Sequence, residues 1–373
     1  MKGLFYHYSP AADVGHGVHL YRLADALFRR LRGRAGLTLL RDGDSPYPPL
    51  SSWKYGPALR APASPAARAA LLRRAAGGSD FVVTAFFPLG RTGCAPALLP
   101  ALGAARAGGT RIYCSAALPY VSWPERELDR LYAAAALYDR IFVHCPPGFD
   151  LKYMARAVAA ERRISAAAFL GAFRGLGAKV SFTGYVLPRE MPAPRPGRRI
   201  LVHRGGGSTS PGIITAALKA RPLLASGLPL TVVAGPASTA AELRRWRRLA
   251  GPGTELLKDT DDLPRLMADS AVVAGTAGGT VYEALKLRRR CVLVPYLGRP
   301  GAEHSDQAAR AAMMRDLAGA RVLDYAALTP ARFAAAVDAA LAGPPPAFRP
   351  AGKMFAGAAA TAAAIREDLC SGK

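Results

Sequence analysis

One pattern constrains this chain more than any other. Short runs rich in β-branched and aromatic residues alternate with Ala/Leu/Arg stretches of helical length along almost the whole sequence. The strand candidates of the first half are Gly3–His7, Thr38–Leu40, Phe81–Thr84, Arg111–Cys114, Arg140–His144 and Val180–Phe182. A second series follows at Arg199–His203, Leu230–Ala234, Thr254–Leu257, Ala271–Ala274, Cys291–Pro295 and Ala320–Leu323. Helices fit between them, at Val18–Leu31, Ala95–Ala107, Pro211–Leu224, Thr239–Leu249, Asp262–Ala268 and Thr280–Leu287. Alternation of this kind predicts an α/β protein of doubly wound parallel sheets with helices on both faces.

The alternation is broken once. Leu187–Gly197 carries four prolines in eleven residues, the composition of a stiff, exposed interdomain linker. Each half begins with a strand followed by a Gly-rich turn, so two Rossmann-like domains facing a cleft are expected. The boundaries read 1–187 for the first domain, 188–198 for the linker, 199–345 for the second domain and 346–373 for a tail. Within that tail Lys353–Ser371 reads as one Ala-rich helix able to cross back to the first domain. In such folds ligands sit beyond the carboxyl ends of the strands.

Composition narrows the partners. An apolar fraction of 51% excludes a disordered chain. Lys plus Arg number 50 against 26 Asp plus Glu, a net charge of +24. Part of that excess follows the general Ala/Arg richness, and the rest points to an anionic partner. The five cysteines are scattered, with no C-x-x-C pair and no His/Cys cluster at zinc spacing, so buried free thiols in a reducing compartment are expected. The apolar start of the chain is short and holds His7, which fits a first strand and not a signal peptide. The longest uncharged run, Pro222–Ala241, contains three prolines and two glycines and reads as loop, strand, loop. The expected location is cytoplasmic.

Three turns could carry chemistry. Asp13–Arg22 follows the first strand and opens a helix. Gly15 and Gly17 allow close backbone approach, and His16 or His19 would serve as a general base near neutral pH. Arg22 and, further on, Arg91 would face the same acceptor-side region. The turn is not a G-x-G-x-x-G fingerprint, and it also fits a plain glycine turn with two polar histidines. His203–Ser210 is again strand then turn. Gly205, Gly206, Gly207 and Ser208 make a phosphate cradle, with Ser210 expected as N-cap before Pro211. It lacks the ending of a P-loop. In the third, Ala271–Glu283, Thr276, Gly278, Gly279 and Thr280 form the turn, and Glu283 stands one helical turn on. There a carboxylate can accept both hydroxyls of a ribose while the turn N–H groups face a diphosphate. The polar loop Gly301–Arg310 would aim Gln307 and Arg310 at the same place.

These residues resemble a family. Thr280-Val-Tyr-Glu283, Val294-Pro295 and Gln307 are similar to the C-terminal domain of family 28 glycosyltransferases. A group of bacterial predicted glycosyltransferases is closer still. It shares Phe86-Phe-Pro-Leu-Gly-Arg91, Cys114-Ser115, the Tyr138–His144 segment, Phe182–Val186 and Gln307–Ala311. The resemblance implies the two-domain GT-B fold, a uridine diphosphate sugar bound mostly by the second domain, and no bound metal. It implies Glu283 on the ribose, Gly205–Ser208 and Thr276–Thr280 on the diphosphate, and Gln307 on the sugar. Basic side chains and helix N-termini would stabilise the leaving diphosphate. Two stretches depart from the group: Thr276-Ala-Gly-Gly-Thr280 stands for Gly-Gly-Tyr-Asn-Thr, and Ala116-Ala-Leu-Pro119 lacks an Arg-Asp pair.

The reading is therefore an inverting, metal-independent glycosyltransferase using a nucleotide-sugar donor. Its rivals are a nucleotide-sugar hydrolase or 2-epimerase on the same fold and a non-catalytic nucleotide-sugar-binding protein. Arg29–Arg34, Arg244–Arg248, Arg288–Arg290 and a basic Lys152–Lys179 segment, read as an amphipathic surface helix, fit solvated faces taken singly. Together they permit docking to an anionic membrane carrying a lipid-linked acceptor. Nucleic acid would require an aromatic-lined or motif-bearing surface, and none is visible, so no such partner is expected.

Overall fold

A computed structural model describes all residues except 10–14, 44–47, 148–149, 162, 208, 297–304, 350 and 372–373. The chain divides into two compact units, Met1–Pro188 with Gly352–Lys373, and Arg189–Ala351.

The first unit is built on seven strands: β1 (Lys2–Ser9), β2 (Gly36–Gly43), β3 (Ala58–Arg60), β4 (Phe81–Ala85), β5 (Arg111–Ala116), β6 (Arg140–Val143) and β7 (Val180–Phe182). Their spatial order is β3-β2-β1-β4-β5-β6-β7, with every neighbour parallel. The second unit has β8 (Arg199–His203), β9 (Leu230–Val233), β10 (Thr254–Leu257), β11 (Ser270–Gly275), β12 (Arg290–Leu293) and β13 (Arg321–Val322), ordered β10-β9-β8-β11-β12-β13 and again parallel. This is the expected doubly wound α/β architecture, twice. In each sheet the winding reverses beside the first strand, between β1 and β4 and between β8 and β11. A crevice opens at such switch points because the helices leave toward opposite faces.

Central strands read as unbroken apolar runs because both faces are covered. Phe5, Leu39, Phe81, Val83, Tyr113 and Phe142 pack on one face of the first sheet against Leu20, Leu23 and Leu27 of the helix Gly15–Arg30. Ala362 and Ile365 join that core from the last helix, Gly357–Ser371, which lies along Gly15–Arg30. Arg140 Nη2 bonds Asp368 Oδ1 of the same helix at 2.6 Å. In the second unit Ile200, Val202, Val232, Val272, Ala274 and Val292 pack with Ile213, Ile214, Trp246 and Phe333.

Several local expectations need correction. The edge strand β3 carries no period-two signal in its three residues and went unread. Lys152–Lys179 is not one surface helix. It forms two, Leu151–Ala160 and Ala166–Leu176, whose Tyr153, Met154, Val158, Phe169 and Phe173 are buried in the first unit. Ser165 caps the second through an Ala168 N–H bond of 3.1 Å. Cys94, Cys114, Cys145 and Cys291 are buried free thiols, but Cys370 is exposed. Burial pushes the Cys94 and Cys291 thiols up to about 12. The proline-rich stretch is exposed over residues 193–198 as expected, and it is also tied to the second unit: Arg195 N and Arg198 N bond the Ala268 and Asp269 carbonyls, and a Cβ at Gly197 would lie 2.3 Å from the Ala271 backbone. No helix among the described residues is long and apolar enough to cross a membrane.

Candidate functional site

At the switch point of the second sheet, three turns meet, two of them backbone to backbone and the third through the Thr276 side chain. Gly205, after β8, has φ +79°, and a Cβ there would lie 3.2 Å from Thr276 Oγ1. Gly235, after β9, has φ +90°, and its Cβ would stand 2.3 Å from the Gly205 carbonyl oxygen. Only glycine allows both the backbone conformation and the approach. Thr276 Oγ1 donates to the Arg204 carbonyl at 3.2 Å, tying the turn after β11 to the turn after β8.

Arg204 locks this assembly from below. Its side chain is buried and donates from Nε to the Ala234 carbonyl (2.8 Å), from Nη1 to Glu242 Oε1 (3.0 Å) and from Nη2 to Ser238 Oγ (3.0 Å). Its guanidinium lies 5.3 Å from the Trp246 ring centroid. Burial alone would raise Glu242, but the Thr239 N–H and Arg204 outweigh it and hold the carboxyl below its ordinary value. The same Glu242 forms a capping box with Thr239 on the helix Ala240–Leu249. Arg204 is thus a clamp whose charge is used internally. Neither it nor Gly235 was singled out from sequence. The signal for Gly235 was present: like Gly205 and Gly275, it stands at the carboxyl end of a strand.

The residues expected on the donor divide into two groups. Arg310 braces the third turn: its Nε bonds the Ala277 carbonyl at 2.8 Å and its Nη2 pairs with Asp306. Gln307 Oε1 accepts the Tyr296 N–H at 3.0 Å, which fixes the chain after β12. Ser208 and the loop up to 304 lie outside the described residues. Glu283 is buried in the short helix Val281–Lys286, directly behind the turn. Ser210 does not cap its helix, because its backbone is left-handed (φ 62°) and carries the side chain away from the N–H groups. Tyr325 OH accepts the Gly212 N–H at 3.2 Å.

Three buried polar atoms around these turns have no hydrogen-bond partner: Ser210 Oγ, Thr280 Oγ1 and His203 Nδ1. His203 ends β8 beside Gly275, where a Cβ would approach its ring to 2.9 Å. Burial pushes the His203 imidazole down to about 4, so it is neutral at pH 7. Buried polar groups are usually paired, and a polar ligand at this switch point would complete these three.

The corresponding end of the first sheet is different. The stretch Phe86–Arg91 after β4 is closed on itself. Gly90 N bonds the Phe86 carbonyl, Thr84 Oγ1 donates to the Phe87 carbonyl (2.6 Å) and Trp123 Nε1 to the Pro88 carbonyl (2.7 Å). Phe86 (φ 72°) and Arg91 (φ 61°) both hold left-handed backbones, a strain that needs this framework. Gly17 and His19 are buried in the first turns of Gly15–Arg30. Arg22 Nη1 donates to the Val186 carbonyl at 3.3 Å and braces that helix. Gly15 opens that helix, and the His16 side chain lies outside the described residues. His19 lies parallel to a residue not proposed as a site, His144, with ring centroids 6.2 Å apart.

Fold and sites together define a two-unit Rossmann-like protein of the GT-B type. Residues 200–365 match the model of the Glycosyltransferase family 28 C-terminal domain. Over 141 residues the chain is 35% identical to the UDP-N-acetylglucosamine--N-acetylmuramyl-(pentapeptide) pyrophosphoryl-undecaprenol N-acetylglucosamine transferase of Methylorubrum populi. That match spans 37% of this chain and 37% of the relative's length. Over the full length the fold is similar to Acinetobacter baumannii MurG, with a TM-score of 0.58 at 15% identity, covering 100% of each chain. It is similar also to the UDP-GlcNAc 2-epimerase of Methanocaldococcus jannaschii, with a TM-score of 0.57 at 10% identity over 99% of this chain and 100% of that one.

Proposed function

We propose that this protein transfers a sugar from a uridine diphosphate donor to an acceptor hydroxyl, with inversion and without a resident metal. The observation that carries this reading is the trio of unpartnered polar atoms around the glycine turns of the segment that matches the family 28 domain. The donor diphosphate lies on the N–H and hydroxyl groups of Gly205, Gly206, Gly207, Ser208, Thr276, Gly278, Gly279 and Thr280. The Glu283 carboxylate accepts the ribose hydroxyls, and the Gln307 amide faces the sugar. The acceptor oxygen forms a bond to the anomeric carbon as the bond to the diphosphate oxygen breaks. His19 or His16 takes the acceptor proton. Donors preset toward the departing diphosphate lower the barrier because they need no reorganisation as charge develops.

The acceptor is lipid-linked and presented at the cytoplasmic face of an anionic membrane. Support comes from the relative in Methylorubrum populi, whose name specifies a pyrophosphoryl-undecaprenol acceptor, and from the exposed Arg244, Arg245, Arg247 and Arg248 on one helix.

Thermal shift with UDP, UDP-N-acetylglucosamine, ADP and GDP tests the donor. A ligand at a hundredfold its Kd stabilises by about 2.7 kcal/mol, so UDP should raise Tm by several degrees and ADP should not. Glu283→Ala should weaken UDP binding by about 1.5–3 kcal/mol in calorimetry, as for a charge-assisted hydrogen bond. No response to any uridine nucleotide would overturn the reading. Rapid sugar release from UDP-N-acetylglucosamine without acceptor would turn it toward a hydrolase.

A further inference from the structure

A second buried cluster lies across the carboxyl ends of β5, β6 and β7. His144 follows β6 and is fully buried. Its Nε2 lies 2.8 Å from Ser115 Oγ on β5, and its Nδ1 lies 2.8 Å from Thr183 Oγ1 just after β7. Thr183 Oγ1 in turn donates to the Gly184 carbonyl at 3.4 Å. With Thr183 donating to the Gly184 carbonyl, the tautomer that fits has His144 Nδ1–H donating to Thr183 Oγ1 and the Ser115 hydroxyl donating to Nε2. The two anchors stand on the strands flanking β6, so the sheet itself fixes the ring plane. His19 comes to this ring from the helix Gly15–Arg30, with the two imidazoles within 5° of parallel.

We propose that His144 is a positioning residue of the first unit: pinned between Ser115 and Thr183, it sets the orientation of the His19 imidazole. The inference rests on the reading of His19 as the base. Two further facts agree with it. Burial pushes the His144 imidazole down to about 3, so the ring is neutral throughout the neutral range and does not repel a protonated His19. The three residues come from three separate strand ends, which is more precise support than one loop could give. A base held in one orientation is effective because little rotational freedom is lost in reaching the transition state. A ring serving only as a polar plug would also be buried and bonded, but its anchors would not govern its neighbour.

The test uses the full chain labelled with 15N-histidine, which gives six imidazole signal sets. His19 is assigned through His19→Gln. In the wild type His19 should show one narrow tautomer pattern. In Thr183→Val, and more so in Ser115→Ala/Thr183→Val, it should move toward the mixture of free histidine, with far-UV circular dichroism retained. Slow UDP release from UDP-N-acetylglucosamine to water should fall about tenfold in the same variants, with KM for the donor held within about twofold. Unmoved His19 signals in a folded variant overturn the positioning role. Full UDP release by His19→Gln overturns instead the base assignment, and the catalytic meaning of the His144 contact falls with it. The two failures appear in different measurements.

Discussion

The two units share one winding pattern, yet the clusters singled out at their strand ends are partnered differently. In the first unit Ser115, His144 and Thr183 satisfy one another, and the Phe86–Arg91 loop closes on its own carbonyls. In the second, the clamp is placed below the turns, and Ser210, Thr280 and His203 keep a polar atom without a partner. The difference teaches how the same fold divides labour. The cluster around His144 is bonded internally, whereas the turns of the second unit leave three polar atoms open. The cost of that open capacity, about 1–3 kcal/mol per unsatisfied group, is offset when the ligand arrives.

Arg204 offers the largest break in this comparison. Arg204→Leu removes four side-chain hydrogen bonds, two of them to Glu242, and leaves Glu242 without its buried partner. A loss of about 3 kcal/mol is expected, at the low end for a broken buried pair because Glu242 is partly exposed. Urea unfolding would measure it. The second unit should lose both stability and UDP binding, because Thr276 is tied to the Arg204 backbone. A variant as stable as the wild type would mean that the turns stand without the clamp.

Much of this division could be read in the amino-acid sequence, and the rest has physical reasons for being hidden. The alternation of strand and helix identified twelve of the strands, because apolar runs covered on both faces leave a strong local signal. β3 left none, being an edge strand of three residues, with Ala58 and Arg60 exposed and Leu59 half-buried. The Gly205 turn was readable because its left-handed backbone and close approach demand glycine. Arg204 was not, since an arginine beside three glycines on a basic chain reads as a ligand for phosphate. Only its bonds to Ala234, Glu242 and Ser238, thirty to forty residues on, turn it inward. The run Arg288–Arg290 misleads in the same way. It reads as a solvated face, but Arg288 bonds the Pro346 carbonyl, Arg289 the Ser270 carbonyl and Arg290 the Gly343 carbonyl. Sequence shows where charge is, while long-range carbonyls decide where it points.

Two histidines sharpen the comparison at acid pH. His144 and His203 are both buried, one in each unit, and burial holds them down to about 3 and about 4. An unfolded histidine protonates near 6.5, so between that pH and the folded values the unfolded chain binds more protons than the folded one. Stability from each is complete above about 6.5 and is lost as pH falls toward the folded value. At pH 5 each should have lost about 2 kcal/mol. His144→Gln and His203→Gln should each flatten the fall in Tm between pH 6.5 and 4. Saturating UDP should diminish the His203 share alone if that imidazole faces the donor. An equal effect of UDP on both would erase the distinction between the saturated and the open site.

The smallest expected effect concerns the surface, where the basic runs also divide. Arg244, Arg245, Arg247 and Arg248 project from the helix Ala240–Leu249 while Leu243 and Trp246 bury its other face. A basic side chain near an anionic bilayer contributes about 1 kcal/mol, so Arg245→Gln should lower binding to phosphatidylglycerol vesicles roughly fivefold at low salt. The effect should vanish at high salt, when screening confines the attraction to a few ångströms. Arg290→Gln carries the same change in charge on a side chain that grips a carbonyl. It should cost about 1 kcal/mol of stability and leave vesicle binding unchanged. Sedimentation with vesicles and urea unfolding, run on both variants, separate outward from inward charge. Equal loss of vesicle binding in the two would show that net charge alone, and not its placement, governs docking.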